Sequence, residues 1–257
     1  MEQTVLLSEM TWPQLREKLA ADPAIFIPCG ATEQHGPHLP LGVDVYLATA
    51  LAISTAKLVG GLVAPTLAYG YKSMPRSGGG PFFPGTINLD GSTLIAIVRD
   101  IIREWHRHGV KKLCFFDGHF ENHWFIVEGI DLGVREIRDP DLKVMRLQYW
   151  DFFTEETLKK VFPSGDFSSI ALEHAATIET SLMLHLKPEL VRRELIPDHP
   201  SANPPPYDVT PAIRSFVTQS GALITAAGAT TEKGKIMAEQ AVADIAAAVK
   251  RTFGGAA

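Results

Sequence analysis

The chain has 257 residues, of which 46% are hydrophobic and 21% are charged, a composition typical of a globular protein with a substantial core. A formal net charge of −5 excludes the basic surface that nucleic acid or an anionic membrane would require, so neither is an expected partner. No apolar run approaches the roughly 20 residues that cross a bilayer, and the start MEQTVLLSEM lacks the pattern of a signal peptide.

In the first half of the chain, short apolar runs alternate with longer segments of helical periodicity. Ala24–Gly30 predicts a buried strand, Val45–Gly61 a helix, and GLVAPTLAYG at residues 61–70 a shorter second strand. Ser92–Gly109 predicts the clearest helix, with Ser92 at its N-cap, basic residues in its last turns and glycine after them.

The second half repeats this alternation. Strands are predicted at KKLCFFDG (111–118) and LKVMRLQYW (142–150), and helices at residues 122–137, Ala171–Leu186 and Thr231–Phe253. Strands and helices in this order predict an α/β fold whose mostly parallel sheet is covered on both faces. No repeat or clear linker interrupts the pattern, so we expect residues 1–257 to form a single domain.

Acidic and imidazole side chains follow the predicted strands where each strand ends. Ligands of open α/β sheets bind beyond the carboxyl ends of the strands. In the spacings Glu-x-His and His-x-Glu, an extended segment directs both side chains to one side. The residues gathered in this way are Glu33, His35 and Asp44 after the first strand, and His119 and Glu121 after KKLCFFDG.

Two imidazoles and three carboxylates suit a divalent transition metal, zinc or manganese. Five ligands exceed what one tetrahedral catalytic zinc uses when a water position stays open. They suit two ions about 3.5–4 Å apart that share one carboxylate. The sequence therefore predicts a binuclear metal site.

Other residues near these strand ends have simpler interpretations. His38 and His123 lack the matching spacing and are expected to be ordinary histidines. Asp117 is expected to stabilise the turn at the end of its strand. Trp124 is expected in the core, whereas Trp150 is expected at the ligand edge, where it could stack on a planar substrate.

Two further motifs leave their roles open. The glycines of Ser77–Gly80 do not form a phosphate loop, and they would allow close approach of either a ligand or another loop. Glu173 and His174 are expected near the start of a helix, with Glu179 five residues after the histidine. Spacing alone allows either a functional pair or the polar face of a helix.

Several reaction classes find no support. There is no GxSxG nucleophile elbow, and the HxE pattern is not followed by the PCxxC of zinc deaminases. The two cysteines, Cys29 and Cys114, each lie in an apolar run and are expected to be buried free thiols. A reducing, cytoplasmic location is the expectation that follows.

Many ordered motifs together resemble the creatininase (creatinine amidohydrolase) family over nearly the whole chain. They are GATEQHG, GVDV, YGYKS, SGGG, FPGT, LDGSTL, YWDF, ETSLML, DHP, PPYDV and EKG. The resemblance implies a three-layer α/β/α fold, a homohexamer and a site for two divalent ions, Zn²⁺ and/or Mn²⁺. It assigns Glu33, Asp44 and His119 to one ion, and His35, Asp44 and Glu121 to the other, with Asp44 bridging.

The resemblance also implies roles around the metal site. His174 looks like the family's proton-transferring histidine, and Glu179 like an acid at the pocket. Ser77, Gly78 and Trp150 look like substrate contacts.

Two positions depart from creatininase itself. Phe120 stands where a tyrosine follows the metal-binding histidine, and Ile170 stands where a flap carries a tryptophan. Both are therefore expected to influence which substrate the pocket accepts.

The expected reaction is hydrolysis of a small cyclic amide, with creatinine to creatine as the leading candidate. Hydroxide held between the ions would attack the carbonyl, Glu121 would assist proton movement, and His174 would protonate the leaving nitrogen. A different small substrate is the alternative, either a formamide or a cyclic diketone or lactone of sugar or inositol origin. A third possibility, a non-catalytic metal-binding or subunit-interaction protein, would have no use for the proton donor His174.

Overall fold

A computed structural model describes residues 4–254. Four parallel strands form one sheet in the order β2-β1-β3-β4. They are β1 (Ile25–Cys29), β2 (Leu62–Val63), β3 (Lys112–Asp117) and β4 (Lys143–Gln148). The predicted parallel sheet is therefore confirmed. Among the helices of the described residues, none is both long and apolar enough to cross a membrane.

Seven α-helices accompany the sheet in the described part of the chain. They are α1 (Trp12–Leu19), α2 (Val43–Val59), α3 (Gly91–Arg107), α4 (His123–Ile137), α5 (Glu155–Val161), α6 (Thr177–Leu186) and α7 (Thr231–Phe253). The short helices α1 and α5 were not predicted. Each begins at a polar cap: the Thr11 backbone N–H donates to Gln14 Oε1 at 2.8 Å, and Thr154 Oγ1 accepts from the Thr157 N–H at 3.1 Å.

Alternate residues of the strands supply two separate cores. Phe26, Cys114 and Phe116 pack with buried residues of α2, α6 and α7 on one face of the sheet. Ile25, Ile27, Leu113 and Phe115 pack with α3 and α4 on the other face. Successive side chains of a strand point to opposite faces, so one sheet separates two helical layers. The three-layer α/β/α prediction is confirmed.

The second predicted strand is much shorter than residues 61–70. Pro65 follows β2 closely, and proline cannot donate a ladder hydrogen bond. Beyond it, an isolated bridge still aligns Leu67 with Cys29, and the Gly30 N–H donates to the Leu67 carbonyl at 2.9 Å. Residues 64–70 therefore continue along β1 without forming a regular strand.

Two expectations about helix ends were wrong. The N-cap position of α3 is Asp90, and Ser92 lies inside the first turn; the Asp90 carboxylate pairs with Lys72 at 2.7 Å and does not cap the helix. The helix predicted from residue 171 begins at Thr177, after a 3-10 turn over Ile170–Leu172. Ala175 lies between the two segments and has a left-handed backbone conformation, with φ of 54°.

The prediction that Trp124 lies in the core is also wrong, because its side chain is 72% exposed. The buried face of α4 is formed by Ile126, Gly129 and Gly133. Trp124 falls outside this stripe and packs against the His123 ring, with ring centroids 4.4 Å apart. An apolar residue type alone could not place it, since large apolar side chains are common on protein surfaces.

The topology brings two loops together. β1 and β3 are neighbours, and Cys29 at the end of β1 pairs with Asp117 at the end of β3. After β1 the chain passes to β2 on one side, whereas after β3 it passes to β4 on the other. Such a point of divergence is where ligands bind in open α/β sheets. The two loops are residues 30–42 and 118–122, and both begin at this point of divergence.

The packing of α3 against α4 yields a prediction, because two α4 glycines on this face differ in the space around them. A Cβ on Gly129 would lie 2.7 Å from the Val98 Cβ, whereas the nearest atom to a Cβ on Gly133 is Ile102 Cδ1 at 3.4 Å. We expect Gly129→Ala to lower the free energy of unfolding by about 1–3 kcal/mol through overpacking. Gly133→Ala should raise it by roughly 0.5–1 kcal/mol, because alanine favours the helix. Urea unfolding of both variants measures this difference, and equal effects of the two substitutions would contradict it.

Candidate metal centre and active site

The predicted ligands converge where β1 and β3 end. Glu33 and His35 lie in an irregular segment that is fixed by the hydrogen bond from the Glu33 N–H to the Leu41 carbonyl at 2.9 Å. Asp44 was expected in the loop before the helix, but it lies in the first turn of α2. A helix N-terminus stabilises an anionic side chain, so this position suits a carboxylate. His119 follows β3, and all four residues are buried.

Asp44 lies between two imidazoles. Its Oδ1 is 3.0 Å from His35 Nε2, and its Oδ2 is 2.9 Å from His119 Nδ1. Glu33 Oε2 is 3.1 Å from the same His119 nitrogen. Ligand atoms of Glu33, Asp44 and His119 all lie within 4.8 Å of one another, as a single ion would require. The two Asp44 oxygens therefore face different histidines, as in a carboxylate that bridges two ions.

The second predicted ligand set differs in one member. The structure groups His35 and Asp44 with Glu179, whose Oε2 lies 3.6 Å from His35 Nε2. Glu121 lies on the other side of His119, with Oε2 3.4 Å from Nε2. Its other oxygen accepts hydrogen bonds from Ser77 Oγ at 2.7 Å and from the Met74 N–H at 3.1 Å. The ligand role of Glu121 stays a prediction.

The chemistry of the cluster fits bound cations. His35 Nε2 and Asp44 Oδ2 are buried without a hydrogen-bond partner, although each lies close to other polar atoms. Buried polar atoms are normally hydrogen-bonded, so atoms of this kind suit coordination of a metal ion. Within residues 4–254, the ion pairs of Glu33, Asp44, Glu121 and Glu179 all involve histidines rather than lysine or arginine.

The histidines respond to this excess of negative charge. Although burial opposes it, the Glu179 and Asp44 carboxylates raise the pKa of His35 well above its usual value. The Glu121 and Glu33 carboxylates likewise raise the pKa of His119 against the effect of burial. Protons on these rings therefore supply the positive charge that a divalent ion would supply when bound.

Glu121 and Glu33 have contrasting pKa values. Burial raises the pKa of Glu121 to about 7, against the opposing effect of His119. Burial also disfavours ionisation of Glu33, but the His174 and His119 imidazoles hold its pKa well below its usual range. Two carboxylates with separated pKa values in one site are typical of acid–base chemistry.

A cavity of about 410 Å³, counting its open mouth, adjoins the cluster. Five predicted substrate contacts line it: Ser77, Phe120, Trp150, Ile170 and Glu179. His174 and Glu121 line it as well. The rings of Phe120 and Trp150 are roughly parallel, at 27°, with centroids 6.4 Å apart. Phe120 is 41% exposed, which places it at the entrance.

Gly78 does not line this cavity. A Cβ on Gly78 would overlap Glu33 Oε1 and lie 2.6 Å from Ser73 Oγ. Ser73, which the sequence analysis missed, donates its hydroxyl hydrogen to Glu33 Oε1 at 2.5 Å and accepts from the Gly80 N–H at 2.9 Å. Glycine at position 78 therefore lets this loop close over the Glu33 carboxylate. Contact of Gly78 with substrate stays a prediction.

His174 lies in the turn before α6 rather than in the helix. Its Nε2 is 2.9 Å from the Gln34 side-chain nitrogen, and its ring centroid is 4.3 Å from that of His35. Burial lowers the pKa of His174, with Glu33 opposing. On either side of this turn, the Glu173 carboxylate accepts from the Ile178 N–H at 2.8 Å, and the Glu179 carboxylate accepts from the Ala175 N–H at 2.6 Å. The two acids thus fix the backbone that carries His174.

The residues expected to have ordinary roles lie outside the cluster. His38 is buried with Nε2 3.0 Å from Thr180 Oγ1, and His123 Nδ1 is 3.4 Å from Gln148 Oε1. Asp117 Oδ1 accepts from the His119 N–H at 3.2 Å, so it stabilises the turn as predicted. Its other oxygen also accepts from Arg146 at 3.1 Å, a buried pairing that the sequence did not indicate.

Comparison with known proteins agrees with this site. The Creatininase family model, described as creatinine amidohydrolase, matches residues 8–249. The chain is 45% identical to creatinine amidohydrolase of Pseudomonas putida, over 98% of this chain and 99% of that one.

Solved structures give the same result. A manganese form of creatininase is 45% identical, with a TM-score of 0.96 over 98% of this chain and 100% of that one. A mutant creatininase of the Zn-Zn type is 44% identical, with a TM-score of 0.96 over 99% of this chain and 100% of that one. With a family match over nearly its whole length and a fold shared with metal-containing creatininases, the chain belongs to the creatininase family of hydrolases.

Proposed function

We propose that this protein hydrolyses a small cyclic amide, and that its main reaction converts creatinine and water to creatine. The observation that carries the proposal is the buried cluster around Asp44, which adjoins a cavity that also holds His174. The high identity to a creatinine amidohydrolase supports creatinine over other cyclic amides.

Two divalent ions, zinc or manganese, would be held at this cluster. Glu33, Asp44 and His119 would hold one, and His35 and Asp44 with Glu121 would hold the other. Glu179 lies close enough to His35 to be a further ligand of the second ion. Bound ions would polarise the substrate carbonyl and make a water molecule more acidic.

Glu121 is suited to take up the proton of the attacking water. Its pKa of about 7 is close to the operating pH of most enzymes, where a base is most effective. Ser77 Oγ and the Met74 N–H hold one of its oxygens, so the other is directed by these contacts. Ser77 therefore acts on the reaction through Glu121 as well as lining the cavity.

His174 is suited to protonate the leaving nitrogen. Hydrolysis breaks the ring C–N bond, adds the water oxygen to the carbonyl carbon and delivers a proton to the nitrogen. His174 lines the cavity, and burial lowers its pKa, so a proton on this ring is weakly held and readily released. The flat rings of Phe120 and Trp150 would contact a planar substrate.

We further propose that residues 1–257 act as a single creatininase-like domain in the cytoplasm and assemble into a homohexamer. Both cysteines are buried and free, which suits a reducing compartment. The surface carries several exposed aromatic side chains, and such groups favour subunit contacts. Those most exposed are Trp12, Trp124, Tyr207 and Tyr69.

Variants at the metal cluster and at the proton donor should differ in metal content. Asp44→Asn should lose bound metal and reduce creatinine turnover at least about 100-fold, because it weakens both ion sites. His174→Asn should keep its metal and reduce kcat by about 10²–10⁴-fold, the range for loss of a general acid. Elemental analysis and creatinine assays on each purified variant measure both effects.

Asp131→Asn is the matched control for these variants, because Asp131 pairs with Arg135 on the exposed side of α4. It should retain both metal and activity. Full turnover by chelator-stripped protein would contradict the proposed function.

Ile170 should limit the affinity for creatinine. Ile170→Trp places an aromatic side chain at the cavity wall, and a stacking contact is worth about 0.5–1.5 kcal/mol. We expect kcat/KM for creatinine to rise about 2- to 10-fold, with Ile170→Val as the size-conserving control. An unchanged kcat/KM in the tryptophan variant would show that this wall does not contact the substrate, and a fall would show that the larger ring obstructs the pocket.

The alternative function is hydrolysis of a different small substrate. Phe120 lacks the hydroxyl of tyrosine, and Ile170 lacks a flat ring, so the pocket could fit a less planar compound. A substrate panel of creatinine, formamides and inositol-derived cyclic ketones decides between them. If the wild-type protein hydrolyses a non-amide ring in preference to creatinine, the main proposal is wrong.

The proposed homohexamer predicts a single large species in sedimentation velocity at micromolar concentration, with about six times the monomer mass of 28.1 kDa. Substituting Trp12 by glutamate serves as a probe of the exposed aromatic surface, and Lys159→Glu on the exposed helix α5 is its charge-changing control. A monomer across the whole concentration range would contradict the assembly.

A further inference from the structure

Gln34 lies between the predicted ligands Glu33 and His35, yet its buried side chain makes a different set of contacts. Its Oε1 accepts from the Gly36 N–H at 2.9 Å. Its Nε2 donates to the Gly221 carbonyl at 3.1 Å and lies 2.9 Å from His174 Nε2. A single amide thus connects the segment that carries Glu33 and His35, the loop around residue 221, and the predicted proton donor His174.

The roles of these groups cannot be exchanged. A backbone N–H can only donate, so the Gln34 atom that faces Gly36 is the oxygen. A backbone carbonyl can only accept, so the atom that faces Gly221 is the nitrogen. The second hydrogen of that NH₂ group then points to His174. The amide orientation, which X-ray data alone seldom distinguish, is set here by two partners with fixed roles.

Two glycines leave the space that this amide occupies. A Cβ built on Gly79 would overlap the Gln34 amide nitrogen, and a Cβ built on Gly221 would overlap its oxygen. Gly221 also has a φ of 85°, which disfavours other residues. One of the glycines of the SGGG motif therefore makes room for Gln34 and not for substrate.

We propose that Gln34 is a positioning residue that fixes His174 as its Nδ1–H tautomer. The Gln34 hydrogen bond makes His174 Nε2 an acceptor, so the single ring proton of neutral His174 lies on Nδ1. The nearest rival partner, Glu33 Oε1, is 3.8 Å from Nε2 and already accepts the short hydrogen bond from Ser73. This inference rests on the proposed function, in which His174 transfers a proton, and it specifies the ring orientation and the resting tautomer from which that transfer starts.

Nitrogen NMR of ¹⁵N-histidine-labelled, metal-free protein tests the tautomer directly. We expect a protonated Nδ1 and an unprotonated Nε2 for His174, assigned by the signals that disappear in His174→Asn. Gln34→Met keeps the size of the side chain and removes the donor, so the His174 signals should shift towards a mixture of tautomers. Protonated Nε2 in the wild type, or His174 signals unchanged in Gln34→Met, would overturn the proposal.

Kinetics provide the second measurement. Gln34→Met should lower kcat for creatinine about 10- to 100-fold while KM and metal content stay near wild type, as for other residues that orient an active group. Gly79→Ala should act in the same direction, because it displaces the Gln34 amide without altering Gln34. Gln240→Met on α7 is the matched control and should change neither kcat nor the NMR signals. Unchanged kcat in both Gln34→Met and Gly79→Ala would overturn the positioning role.

The outcomes separate this inference from the proposed function. The tautomer is read without metal or substrate, so it does not depend on the reaction. The wild-type spectrum decides the assignment even where a variant does not fold, which thermal unfolding of each variant establishes. Full activity of His174→Asn would overturn the proposed role of His174 alone.

Discussion

The close approach of the α2 N-terminus to the ends of β1 and β3 determines the rest of this site. A Cβ on Gly30 would lie 2.7 Å from the Val45 backbone nitrogen, and one on Gly118 would lie 2.8 Å from the Asp44 carbonyl oxygen. Glycine at both strand ends lets the helix begin directly on the sheet. Asp44 therefore reaches the imidazoles that follow both strands, and its two oxygens can serve two sites at once.

Burial of so many acids at one point is costly unless cations are present. Isolated buried carboxylates are strongly disfavoured, and the imidazoles here compensate only in part. The elevated pKa values of His35 and His119 show that the cluster attracts positive charge. A fold that gathers these groups without lysine or arginine among their described ion pairs is thus built around metal ions. At the edge of the cluster, burial raises the pKa of Glu121 to about 7, and the nearby Glu33 carboxylate adds to this effect.

Much of the architecture could be predicted because its signals are local. Periodicity located the strands β1, β3 and β4 and the helices α2, α3, α4 and α7, and the strand-end rule gathered Glu33, His35, Asp44 and His119. The errors have two physical causes. The start of α6 is set by contacts of Glu173 and Glu179 with the backbone, and α1 and α5 are too short to show a clear period. The contacts of Gln34 could not be predicted because its partners, Gly221 and His174, are distant in sequence.

The two halves of the site are built on backbones of different kinds. The metal cluster is attached to strand ends and to the first turn of α2, which belong to the packed layers of the fold. His174 and Ile170 instead lie in an irregular connection between α5 and α6, which passes through the left-handed Ala175. A loop can change its residues without disturbing the core, whereas the strand ends cannot. The metal cluster is therefore attached to the part of the fold that tolerates little change, whereas Ile170 lies where a substitution leaves the packed layers intact.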